Sequence, residues 1–219
     1  PHLWYRRQRQ MCIRDSVVFL PIWMHSAFVQ YLTYANFREF QPLIPHVHHW
    51  FADDRKDLSV DERAAAERIV QRAGLVGSWA LRQKPETEDQ LVSSLLILGD
   101  EEGFIEAAKA SSNRGIRIQL GNHYFHRVRR AATDATADDV ERLLAIVREG
   151  LELVPGHAHL HAMDSALQAE VGEYAGAIDS LITAATIDPN ATDIAQQYVE
   201  LFKYLIRNAE ILLSQQKYE

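Results

Sequence analysis

From Ser59 to the end of the chain, apolar residues return every three or four positions and polar residues fill the gaps. That spacing gathers the apolar side chains on one stripe of a helix. It predicts helices over 59–82, 87–98, 101–110, 119–132, 137–153, 157–171 and 174–187. A last helix follows Asn190, with Ile194, Tyr198, Leu201, Phe202, Leu205 and Leu212 on one stripe. Local signals agree with the pattern. Ser59-Val60-Asp61-Glu62 is a capping box, in which the Ser hydroxyl accepts from the Glu amide and the carboxylate answers. Thr87 and Asn190 are expected as caps, and Lys84-Pro85, Gly99 and Ser111-Ser112-Asn113-Arg114-Gly115 as breaks.

The pattern before Ser59 is different. Val17 to Phe37 carries no charged residue and has about the length of a spanning helix, roughly 20 residues. Pro21, His25, Ser26, Gln30, Thr33 and Asn36 interrupt it throughout, so buried soluble structure is expected instead of a membrane span. Val17-Val18-Phe19-Leu20, β-branched and aromatic before Pro21, predicts a buried strand, with a helix over 26–40 after it. Gln41 to Asp54 is aperiodic and holds Pro42 and Pro45, which predicts a loop or docking segment. Pro1 to Ser16 follows neither period and resembles the translated adapter sequence found at the ends of reading frames assembled from environmental DNA. It is set aside as non-native. The expected organisation is therefore 1–16 non-native, 17–56 an N-terminal segment, and 57–219 a helical repeat domain.

Inside the repeat domain one phrase recurs. Leu151-Glu152-Leu153-Val154-Pro155 answers Ala185-Thr186-Ile187-Asp188-Pro189, with the two prolines 34 residues apart. A period of that length marks stacked helical hairpins. Between the prolines, Gly172, Tyr174, Ala177, Ile178, Leu181, Ala184, Ile187 and Pro189 resemble the tetratricopeptide repeat in order and spacing. Gly172 permits the reversal between two helices. Ala177 and Ala184 let neighbours approach, Tyr174 and Leu181 fill the space between them, and Pro189 ends the second helix. Leu144, Val147, Leu151, Leu153 and Pro155 match part of a preceding repeat, with Gly150 where the family prefers Ala. Tyr198 and Phe202 fit a following one. Asp164 and Gln168 depart from the pattern, standing where large apolar and aromatic residues are usual. The hairpins before Gly115 share the architecture by periodicity alone, and another helical-hairpin repeat is the alternative.

The resemblance implies an all-α fold, a right-handed α-solenoid of antiparallel hairpins, with a short irregular or strand-containing segment before it. It also implies a concave groove lined by the first helix of each hairpin, which holds a peptide or helix of a protein partner. Carried onto this chain, the groove positions are His159, Ala166, Glu170, Asp193, Gln196, Glu200 and Lys203.

Charge narrows the partner. The net charge of −7 argues against nucleic acid and anionic membranes. Cys12 is the single cysteine, so no intrachain disulfide forms; the compartment stays open, with the bacterial cytoplasm as the expectation. Three histidine groups are candidate metal ligands: His46, His48 and His49 beside Asp53 and Asp54; His157, His159 and His161; and His123 with His126. Each is better explained by packing, capping or solvation, because no complete ligand set shares a face. Arg127, Arg129 and Arg130, near Arg114 and Arg117, are expected on a solvated face. No nucleophile elbow and no phosphate loop occurs. No catalytic residue and no cofactor is assigned. The expected function is a protein-interaction scaffold; the alternative is the regulatory or substrate-recruiting tail of a larger bacterial transferase or hydrolase.

Overall fold

A computed structural model describes residues 2–50, 57–79, 85–133 and 139–216. All regular elements among them are helical: α1 (His2–Phe40), a 3-10 turn (Gln41–Leu43), α2 (Ile44–His49), α3 (Val60–Trp79), α4 (Pro85–Leu98) and α5 (Glu101–Ala110), then α6 (Arg114–Thr133), α7 (Val140–Leu153), α8 (Ala158–Glu170), α9 (Tyr174–Ile187) and α10 (Thr192–Gln216). The chain divides into two compact units at Ser111/Ser112. The boundary drawn from sequence at 57 falls inside the first unit, where α1 packs on α3.

In the first unit, α3 and α4 form a hairpin, α5 folds back on α4, and α1 lies against α3 and α4. The core joins Phe40, Leu43, Ala66, Ile69 and Ile97, with Val47, Trp50 and Leu58 packed around it. Glu39 of α1 accepts from both Arg68 and Arg72 of α3 at 3.0 Å. The capping box forms as expected: Ser59 N donates to Glu62 Oε2 at 2.8 Å, and Glu62 N donates to Ser59 Oγ at 3.3 Å. His46 donates to the other oxygen of Glu62 at 3.1 Å, pinning α2 to the start of α3. The Ser59 hydroxyl first, then the Ser59 amide and His46, hold the Glu62 carboxyl down at about 2.

Several expected boundaries are corrected. Residues 17–20 are helical, not a strand, and belong to α1. Four apolar residues cannot tell a strand from a helix by period, and a strand needs a ladder partner that no described residue supplies. Gln41–His49 is a helical continuation, not a loop. Pro42 and Pro45 sit in the first turns of their helices, where a missing amide hydrogen costs nothing. Pro85 opens α4 for the same reason, which leaves Thr87 inside the helix with its side chain buried. The segment 111–115 does not hold the chain apart until Gln119. Asn113 accepts from the Gly115 amide at 2.9 Å and starts α6 at Arg114. Asn190 does not cap α10, which begins at Thr192; its amide donates to Asp188 Oδ1 at 3.2 Å in the turn before it. The predicted ends near Arg82 and Ala137 lie outside the described residues, as do Asp53 and Asp54.

In the second unit each helix packs on the next, and α8 additionally touches α6 and α10. The 34-residue interval reappears in the backbone. α7 and α9 each span 14 residues at that offset, and α8 and α10 begin at the same offset. The residues ending α7 and α9 adopt nearly one conformation, φ −134°, ψ 71° at Val154 and φ −132°, ψ 86° at Asp188. Each donates its amide four residues back, to Gly150 and Ala184, at 2.8 and 3.0 Å.

Candidate functional site

The site is built on the hairpin α8–α9 and the helix that follows. Gly172 makes the reversal at φ +82°, a left-handed conformation that favours glycine. Its amide donates to Ala169 O, and the Glu173 amide donates to Gln168 O at 2.8 Å, which together close the end of α8. Gly99 makes the same turn between α4 and α5, at φ +78°. Across the hairpin Ala177, Leu181 and Ala184 are buried, and Ala158, Ala162 and Ile194 complete their cluster. The repeat-motif residues Gly172, Ala177, Leu181 and Ala184 thus occupy packing and turn positions. Tyr174 is half-buried with its ring 6.0 Å from Tyr204 of α10, and Pro189 lies in the turn between α9 and α10.

The departures from the repeat pattern have physical partners. A Cβ on Gly150 would lie 2.8 Å from Tyr124 Cβ and 3.1 Å from Leu160 Cδ1, so this position admits no side chain without displacing α6 or α8. Asp164 and Gln168 are buried between α8 and α9. Gln168 Nε2 donates to Asp164 Oδ2 at 2.5 Å, and Ser180 Oγ of α9 donates to the same oxygen at 2.7 Å. Gln168 also seats its Oε1 against Gly176, where a Cβ would stand 2.1 Å away. The polar pair on α8 is matched by a hydroxyl and a bare backbone on α9. Two exchanges of large for polar are thus met by two small residues opposite, with Asp164 Oδ1 left without a hydrogen-bond partner.

Of the histidines, His157 is structural. Its Nδ1 accepts from the Leu160 amide at 3.3 Å, capping α8, while its Nε2 lies 3.0 Å from Asn122 Oδ1 of α6. That combination requires a neutral ring with the proton on Nε2. Burial first, then the neighbouring His159 and His161, hold its pKa down at about 4. Gly121 makes room for it, since a Cβ there would lie 2.2 Å from His157 Cδ2. The expectation that imidazoles cap and pack at this helix start therefore holds for His157. His161 donates to Pro155 O at 2.9 Å, in the turn before α8. His46 is taken by Glu62 and His48 is exposed. Among the described residues no three His, Cys, Asp or Glu side chains gather as a metal would require.

Between α8 and α10 opens a pocket of about 320 Å³, lined by Ala162, Ser165, Ala166, Ala169 and Glu170 of α8, Leu181 of α9, and Gln197, Glu200, Leu201 and Tyr204 of α10. Three of the predicted groove residues line it: Ala166, Glu170 and Glu200. Lys203 donates to Glu200 at 2.7 Å on its rim. His159 and Asp193 meet 3.1 Å apart, joining α8 to α10, and neither lines the pocket. Gln196 is exposed on α10, and its neighbour Gln197 takes the lining position instead. Of the lining residues absent from the predicted groove, Ala162, Ser165 and Ala169 are small and lie beside Ala166 on α8, and Leu181, Gln197, Leu201 and Tyr204 come from α9 and α10. Ala162, Ser165, Ala166 and Ala169 recur at helical spacing, and that stripe was the available signal. Small side chains leave the space that α10 does not fill.

The basic stretch is partly engaged. Arg117 donates to Leu153 O at 2.7 Å, and Arg127 lies 4.0 Å from Glu149 and 5.9 Å from the Tyr124 ring centre. Arg129 and Arg130 are exposed. Among the described residues no helix is long and apolar enough to cross a membrane. No protein family matches the chain, and no curated protein or solved structure is significantly similar to it.

Proposed function

We propose that the second unit is a tetratricopeptide-like stack of hairpins, winding as a right-handed solenoid, and that it serves as a scaffold for a partner peptide or helix. The observation that carries this reading is the pocket between α8 and α10. Its floor is apolar, with Ala162 and Leu181, and its rim is net acidic, with Glu170 beside the Glu200–Lys203 pair. The 34-residue recurrence of helix boundaries supports the repeat assignment. An apolar floor takes an aliphatic or aromatic anchor, and the carboxylates select a partner with a basic residue beside that anchor. A strand at 17–20, as the last piece of an upstream α/β domain, would favour the enzyme-tail alternative. Those residues are helical, and the strand no longer favours it.

The test is binding of a panel of labelled helical peptides, basic and acidic, by fluorescence anisotropy. Basic amphipathic peptides should bind the chain at least tenfold more tightly than acidic ones. Ala166→Trp, which fills the pocket from an exposed position, should abolish that binding without loss of helicity. Undiminished binding by Ala166→Trp would exclude the groove.

A further inference from the structure

α1 carries two apolar faces and the first unit covers one of them. Val29, Leu32, Asn36 and Phe40 are buried, and Val29 and Leu32 pack with Val76 of α3. On the opposite side Leu20, Met24, Tyr31 and Tyr34 are 58%, 59%, 67% and 61% exposed, with Ala27 between them also exposed. Trp23, at 69%, flanks this stripe. Its positions, 20, 24, 27, 31 and 34, alternate steps of four and three. A helix apolar all round is ordinarily covered all round.

The composition of the stripe separates its possible occupants. A helix that lies on a lipid surface sets Lys and Arg opposite its apolar face. Val17 to Phe37 has neither, and the chain as a whole is acidic. The alternating spacing is that of side chains which interlock with an equivalent helix. Copies of a chain with net charge −7 repel one another over most of their surface. An uncharged stretch of 21 residues is where two copies approach at least cost. Trp, Tyr and Met are also the types concentrated at the centre of protein interfaces. The area is sufficient as well. A large aromatic side chain offers about 150–250 Å², and with smaller areas for Leu20, Met24 and Ala27 the stripe and its flanking Trp23 expose roughly 600 Å² per copy. Two copies together bury about 1,200 Å², the lower end for a stable pair.

We propose that α1 is a self-association helix, pairing with α1 of a second copy of this chain through Leu20, Met24, Ala27, Tyr31 and Tyr34. Sedimentation velocity of the full chain from about 1 to 100 μM tests it, a range suited to an interface of that size. The expected result is growth from the 25.0 kDa monomer to twice that mass as concentration rises. Met24→Glu combined with Tyr31→Glu should remain monomeric throughout, with its circular dichroism unchanged because both positions are exposed. Tyr31→Arg alone should weaken association at least tenfold and serves as the second variant if the double one loses helicity. Ile182→Glu, exposed on α9, should pair as the parent does. The proposal is overturned if the parent stays monomeric at all concentrations, if the Met24/Tyr31 variant still pairs, or if the parent remains monomeric and floats with phosphatidylcholine vesicles.

Discussion

The two units bury polar side chains in different ways. In the second, several buried polar groups are committed to neighbours: His157 joins α6 to the start of α8, and Asp164 Oδ2, Gln168 and Ser180 join α8 to α9, while Asp164 Oδ1 is buried with no hydrogen-bond partner. In the first, the side-chain oxygens of Thr87, Gln90 and Ser94 on α4 and both amide atoms of Asn36 on α1 are buried with no hydrogen-bond partner. A paired buried group fixes the register of two helices, whereas an unpaired one costs about 1–3 kcal/mol and fixes nothing. The unit with the 34-residue interval thus ties α8 to α9 and to α6 through buried polar groups, which Asn36, Thr87, Gln90 and Ser94 do not do in the other. Both units leave apolar side chains exposed, on α1 in the first and on α10 in the second.

The difference can be broken most severely at Gly121. Gly121→Ala forces the His157 ring away from both of its bonds, so unfolding of the second unit should become easier by about 3 kcal/mol. Thermal melting followed by circular dichroism reads this, and an unchanged melt would mean the clasp is dispensable. A smaller effect comes from protons. His157 has a folded pKa of about 4, below its ordinary value of 6.5, so the unfolded chain binds more protons between those limits. Stability is full above about pH 6.5 and is lost as pH falls toward 4, with about 2 kcal/mol gone between pH 7 and pH 5. Urea unfolding at the two pH values measures it. His157→Asn, which keeps a capping side chain, should flatten that dependence. The smallest effect sharpens the contrast from the other side. Asn36→Leu removes two unpartnered polar atoms and should stabilise the first unit by about 1 kcal/mol. A loss of stability there would show that Asn36 does specify the packing of α1.

The legible parts of the fold were those set by local chemistry. The Ser59–Glu62 capping box and the Gly172 turn concern residues within a turn or two of one another, and the 34-residue interval is one such local phrase met twice. Their geometry followed from composition and spacing. The misread parts were those where a local signal has two outcomes. Proline breaks a helix or starts one, and Pro42, Pro45 and Pro85 all start helical turns here. Valine and phenylalanine before Pro21 suit a strand, yet α1 runs through Pro21. At the candidate site the charged rim was named from the family resemblance. The pocket itself depends on how far α10 stands from the small residues of α8, and no local rule measures that distance.

Periodicity and turn chemistry alone were enough to make this chain helical and to set the 34-residue hairpin, because helix period, caps and glycine turns act over short stretches of backbone. Packing decided the rest. Asp164 and Gln168 look like errors in a linear pattern and become a matched set only when Ser180 and Gly176 come to face them. The two faces of α1 are alike in sequence, and only the approach of α3 makes one of them core and leaves the other exposed.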